Sequence, residues 1–113
     1  MRLIVDQADL DQEIQQGQPV MVLFGVLSDR LFIEQNNRML QIEEDFGIWY
    51  CVVDVQLLPE IKAHYNVNGK PVMVAFNQGE QIVHLVGRHT PLSIVRSLKR
   101  KGALLQQAPD PQS

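Results

Sequence analysis

Cysteine occurs once in this sequence, at Cys51. A single thiol excludes an internal disulfide and any cysteine-rich zinc site. It fits a reducing compartment, with the cytoplasm as the default location. Long hydrophobic runs are also missing. Val20 to Val26, with Gly25 inside it, is among the longest, and a membrane span needs about 20 apolar residues. The first residues meet Asp6 before any signal-peptide core can form. There is no repeat at periods of about 20 to 50 residues, so a solenoid is out. Basic excess is absent too. Lys and Arg number 10 against 13 Asp and Glu, the net charge is -3, and aromatics make up 6%. That composition argues against a nucleic-acid partner. No metal-ligand spacing links His64, His84 and His89, and no G-x-S-x-G is present. No metal, cofactor or membrane partner is expected.

What is present suffices for one folded unit. The 113 residues are 45% hydrophobic and 20% charged, enough for a core without disulfide staples. Met1 to Val5 reads as a strand, and Asp6 as the cap of a helix from Gln7 to Gln16. Val20 to Phe24 is unbroken apolar chain, the pattern of a strand covered on both faces. A second helix is predicted from near Asp29 to Asp45, with Asp29 as its cap and Phe32, Met39, Ile42 and Phe46 facing inward. Ile48 to Val55 reads as a strand and Leu57 to Tyr65 as a short helix. Val72 to Phe76 and Gln81 to Val86 read as a hairpin turning at Asn77 to Glu80. Thr90-Pro91 opens the last helix, which runs to about Lys101 with Leu92, Val95 and Leu98 inward. The order β-α-β-α-β-α-β-β-α implies an α/β sandwich of three layers. Its central sheet is mixed, with helices on both faces, parallel where helices intervene and antiparallel at the final hairpin.

This order and several segments resemble the thioredoxin-like superfamily. Val20 to Phe24 matches its central strand, and Val53-Asp54-Val55 its strand ending in an acid. Tyr65 to Val72 is similar to the loop before the family's cis-proline, Phe76 to Glu80 to the following turn, and Val86-Gly87 to the close of the last strand. The resemblance covers residues 1 to about 103. A domain of residues 1–105 is expected, and 106–113, with two prolines and no large apolar residue, reads as a flexible tail. The resemblance implies that the Lys70–Pro71 bond is cis. The family's redox enzymes carry Cys-x-x-Cys at the start of the second helix. Asp29 and Phe32 stand at those positions here, and neither can supply a thiolate. The flanking tryptophans are replaced by Gly25 and Ser28, and the buried aspartate by Leu23. The resemblance therefore implies a member without dithiol chemistry.

The remaining candidates are few. Cys51, between Tyr50 and Val52 in a strand, reads as a small buried hydrophobe. The histidines read as exposed or locally bonded. Asp6, Asp9, Asp11 and Glu13 read as complements to a helix N-terminus on a solvated face, and Glu34 to Arg38 as a solvated stretch of helix. Two surfaces survive. One is Leu27, Ser28, Asp29, Leu31 and Phe32, where the apolar members with Val26 either form an exposed patch or fold inward. The other is Gly69-Lys70-Pro71, a main-chain edge of the kind that docks an extended peptide. The expected function is a non-catalytic domain that binds protein or peptide, as redox-dead relatives do when they serve as chaperones, adaptors or scaffolds. The alternatives are an enzyme using Cys51 as a single thiol and a self-associating subunit, a homodimer.

Overall fold

A computed structural model describes residues 1–103. The boundary expected at residue 105 and the tail 106–113 lie outside the described residues. The elements are β1 (Arg2–Leu3), α1 (Gln7–Ile14), β2 (Val20–Gly25), α2 (Arg30–Phe46), β3 (Trp49–Asp54), α3 (Pro59–His64), β4 (Val72–Asn77), β5 (Glu80–Val86) and α4 (Pro91–Arg100). The sheet has five strands in the order β1-β3-β2-β4-β5. β1, β3 and β2 are parallel, while β4 runs antiparallel to β2 and β5 antiparallel to β4. The helix before β4 thus does not make it parallel to its neighbour. The short α3 returns the chain to the far side of β2 in the reverse sense.

Two apolar clusters sandwich the sheet, and strand periodicity assigns residues to them. Met21, Leu23, Tyr50, Val52, Met73 and Ala75 pack with α2 and α4 residues such as Met39, Ile42, Ile94 and Leu98. Val22, Phe24, Cys51, Val53, Val72 and Val74 point the other way, to Leu10, Ile14 and Ile61 of α1 and α3. The central strands are apolar on both faces because both faces are covered.

The caps follow the sequence with one exception. Asp6 Oδ1 accepts from Asp9 N at 2.8 Å, and Thr90 Oγ1 from Ser93 N at 3.2 Å. Gly47 ends α2 with φ 68°, and the β4–β5 turn uses Gln78 (φ 54°) and Gly79 (φ 84°). That pair of left-handed residues matches the twist of a two-residue hairpin. Asp29 sits at the N-cap of α2, but its side chain makes no cap bond. On α4, Ile94 takes the inner place expected of Leu92, which is 59% exposed. Phe46, at the C-terminus of α2, is also outside, with Lys99 Nζ 5.8 Å from its ring centroid.

Two polar networks replace expected solvated faces. Gln35 is buried, and its side-chain amide donates to His89 O (3.1 Å) and accepts from His89 N (3.2 Å). Arg38 Nη1 donates to the same carbonyl at 2.8 Å, Asn36 bonds the Tyr50 hydroxyl, and Glu34 pairs with Arg88 at 3.0 Å. The stretch Glu34 to Arg38 is polar because it ties α2 to the β5–α4 loop and to β3. Asp9 and Glu13 are buried as well, each paired with Arg2. Glu13 also accepts from Trp49 Nε1 at 2.6 Å and Gln16 Nε2 at 2.7 Å. Only Asp6 and Asp11 of that acidic group are exposed.

Candidate functional site

The junction between β2 and α2, where the sequence resemblance puts the dithiol positions, is half closed. Phe32 is 2% exposed and belongs to the cluster beneath α2 and α4. Its ring occupies the space a residue-25 side chain would fill. A Cβ built on Gly25 would lie 2.5 Å from Phe32 Cδ1, closer than real carbon contacts allow. The absence of a side chain at position 25 therefore makes room for the inward ring of Phe32. Leu31 is half-buried, and Leu27 is 38% exposed. Of the apolar residues at this junction, Phe32 folds inward while Leu27 stays at the surface.

Beside it lies an open cleft of about 330 Å³. Gly25, Val26, Ser28 and Asp29 form one wall, and Gly69, Lys70 and Pro71 the other. Val55, Lys62 and Val67 complete the lining. The second wall is shaped by the end of α3. Asn66 adopts φ 56°, Val67 N donates to Lys62 O at 3.0 Å and Asn66 N to Ala63 O at 3.4 Å. This paired pattern is a Schellman termination. It brings Val67 and Lys62 to the cleft, and Tyr65 stacks on Phe24 of β2 with ring centroids 4.4 Å apart. Gly69 has φ 79°, a conformation that favours glycine. Gly69 and Lys70 make no backbone hydrogen bond among the described residues.

The Lys70–Pro71 bond is trans, since no cis peptide bond occurs among the described residues. This corrects the cis expectation. Trans is the lower-energy isomer of an X-Pro bond, and the loop reaches β4 in that form with Pro71 buried. Pro71 O accepts from Gly87 N at 2.8 Å, and Gly87 adopts φ 79°, a conformation that favours glycine.

Ser28, Asp29, Gly69, Lys70 and Pro71 thus meet on one cleft, whereas Leu27, Leu31 and Phe32 do not line it. Sequence reasoning missed Val55, Lys62 and Val67. For Lys62 the only signal was its place beside the inward Ile61 on a short helix. Cys51 is fully buried on the opposite face of the sheet from Phe32. Its Sγ lies 3.9 Å from Glu13 Oε1. Burial, and then the Glu13 carboxylate, push the thiol up to about 12. His64 and His84 are exposed, and His89 Nε2 lies 3.2 Å from Val86 O. Among the described residues no group of three His, Cys, Asp or Glu is arranged to hold a metal ion, and no helix is long and apolar enough to cross a membrane.

No protein-family model and no curated protein matches the chain. Solved structures do. Thioredoxin from Fasciola hepatica superposes with a TM-score of 0.79 at 20% identity, over 89% of this chain and 99% of its own. The fold is that of thioredoxin. A variant of the Halobacterium salinarum thioredoxin gives a TM-score of 0.81 at 19% identity, over 92% of each chain. Plasmodium falciparum thioredoxin gives 0.76 at 20%, over 89% of this chain and 98% of its own. At these identities the likeness concerns the fold. With Cys51 as its only cysteine, this thioredoxin-like chain lacks the Cys-x-x-Cys pair and cannot form an intramolecular disulfide.

Proposed function

We propose that the protein is a non-catalytic thioredoxin-like domain that binds a protein or peptide, in the manner of a chaperone, adaptor or scaffold. The site is the cleft between Ser28-Asp29 and Gly69-Lys70-Pro71, with Leu27 at its rim. One observation carries the reading. At the dithiol positions stand Asp29 and a core-packed Phe32, yet the adjoining cleft is open and Gly69 and Lys70 on its far wall make no backbone hydrogen bond among the described residues. An exposed main-chain edge of this kind suits β-type pairing with an extended segment. Reduction of a disulfide needs a thiolate to attack and a second thiol to resolve the mixed disulfide. Cys51 is a poor single nucleophile, because its surroundings keep it protonated and covered. A reducing, cytoplasmic setting suits the single buried thiol.

Two measurements test this. Insulin reduction driven by a dithiol donor should proceed at the uncatalysed rate, and turnover above that rate that vanishes in Cys51→Ala would overturn the non-catalytic reading. Amide NMR shifts on titrating extended peptides should map to residues 26–29 and 67–71. Peptide-induced shifts confined to other surfaces would overturn the site.

A further inference from the structure

The topology gathers exposed apolar side chains at one end of the sheet. β1, β2 and β3 run parallel, and β5, antiparallel to β4, points the same way as β2. At or just after the C-terminal end of each of these four strands stands a large apolar residue in solvent. They are Val5 (70% exposed), Leu27 (38%), Leu57 (74%) and Val86 (53%). Leu92, in the first turn of α4, follows Val86 at the same end and is 59% exposed. Scattered surface hydrophobics are ordinary, but a shared rim of them marks an interaction face. The cleft opens at this end, where β2 passes into α2 and the 67–71 loop enters β4.

Charge says what kind of partner fits. The chain carries a net charge of -3, yet the cleft lining holds Lys62 and Lys70 against Asp29 alone. Both lysines are exposed, and neither forms an ion pair among the described residues. A second copy docked through a two-fold axis would set these lysines near their own equivalents. A segment bearing carboxylates would meet them with opposite charge.

We propose that this end face docks an extended protein segment that carries both apolar side chains and carboxylates, not a second copy of the chain. This rests on the peptide-binding reading above and adds the chemistry of the partner. Backbone groups of the segment pair with Gly69 and Lys70, its carboxylates reach Lys62 and Lys70, and its apolar side chains cover Leu27 and the neighbouring rim.

Three synthetic peptides of equal length provide the test: one alternating Leu and Glu, one alternating Leu and Lys, one alternating Ser and Glu. Fluorescence anisotropy should show the Leu-Glu peptide binding roughly tenfold more tightly than either other peptide. Added salt should weaken it. The Lys62→Gln/Lys70→Gln variant, which changes only exposed side chains, should lose most of that preference while melting like the parent. Equal or tighter binding of the Leu-Lys peptide would overturn the proposal but leave peptide binding intact. Equal binding of the Ser-Glu peptide would overturn the apolar half of the face, and with it the proposal. Binding of none of the three would overturn both the proposal and the reading beneath it. A mass that doubles with concentration in light scattering, and reverts in Leu57→Glu, would assign the face to a second copy and overturn the proposal.

Discussion

The two walls of the cleft are built in opposite ways. The wall at residues 25–29 continues directly into the core: Gly25 closes β2 with no side chain, and the ring of Phe32 takes up that volume. The wall at residues 67–71 is loop, turned by Asn66 and Gly69 in left-handed conformations and anchored by the Pro71–Gly87 hydrogen bond. Of residues 29 and 32, Phe32 is packed in the core and Asp29 lines the open cleft. Across the cleft, Gly69 and Lys70 present main chain that makes no backbone hydrogen bond among the described residues. Chemistry and cleft are therefore separable features of one junction. The interior is filled on one side of residue 29, and the groove on the other side is open.

The largest effect that would break this contrast is at Phe32. Phe32→Ala should cost about 3–5 kcal/mol in denaturant unfolding, the range for a buried aromatic. Leu27→Ala, five positions earlier but 38% exposed, should stay within about 0.5 kcal/mol. Similar small losses at both positions would mean that Phe32 is not core.

Next comes the support beneath the junction. Gln35→Ala takes the side-chain acceptor from His89 N–H, while His89 O keeps Arg38 Nη1, and should cost about 1–3 kcal/mol. Amide exchange at His89 should quicken, because its N–H loses the Gln35 acceptor. Unchanged exchange would remove α2 as the anchor of the β5–α4 loop.

The acid limb of stability sharpens the picture on the other side of the sheet. The Val5 backbone N–H, and then Arg2, hold the Asp9 carboxyl below the usual carboxylate range. A folded value below the unfolded one, about 3.9, makes Asp9 stabilising above that pH; the contribution is lost as pH falls through the folded value. Asp9→Asn should flatten the decline of stability below about pH 4. An identical acid limb in the variant would contradict the pairing.

Cys51 should give the smallest effect at neutral pH, where it is protonated whether the chain is folded or not. The unfolded thiol ionises near pH 8.5, approximately, whereas the folded one waits until about 12. Its stabilising contribution is complete below the first value and declines as pH rises above it. Native labelling by a thiol reagent should be slow and become complete on denaturation. Cys51→Ala should soften the alkaline loss of stability. Fast native labelling would contradict the burial.

Most of the fold was legible because strand and cap signals were strong. The apolar run Val20 to Phe24 suits a covered strand, Val72 to Phe76 reads as a strand before a turn signal, and Thr90-Pro91 marks a helix start. Pattern reading failed where tertiary partners decide. Gln35, Asp9 and Glu13 are polar and so read as solvated. Their burial depends on His89 and Arg2, which are remote in sequence and visible only once the chain has folded. Leu92 and Ile94 lie two positions apart near a helix start, so a small rotation of α4 exchanges which one faces inward. Five of the eight candidate site residues meet on the cleft because they sit at strand and helix termini that the topology brings together. Lys62 and Val67 went unread because their approach depends on how α3 terminates.

The account stands most directly on the exchange of volume between Gly25 and Phe32, which a double-mutant cycle measures. Gly25→Ala alone should cost roughly 1–3 kcal/mol by pressing a methyl into the ring. In the Phe32→Ala background the ring is absent, so the same methyl should be tolerated. The double variant should then be more stable than the sum of the single losses predicts, by about 1 kcal/mol or more. Additivity within about 0.3 kcal/mol would contradict the claim that Phe32 fills the space left at position 25.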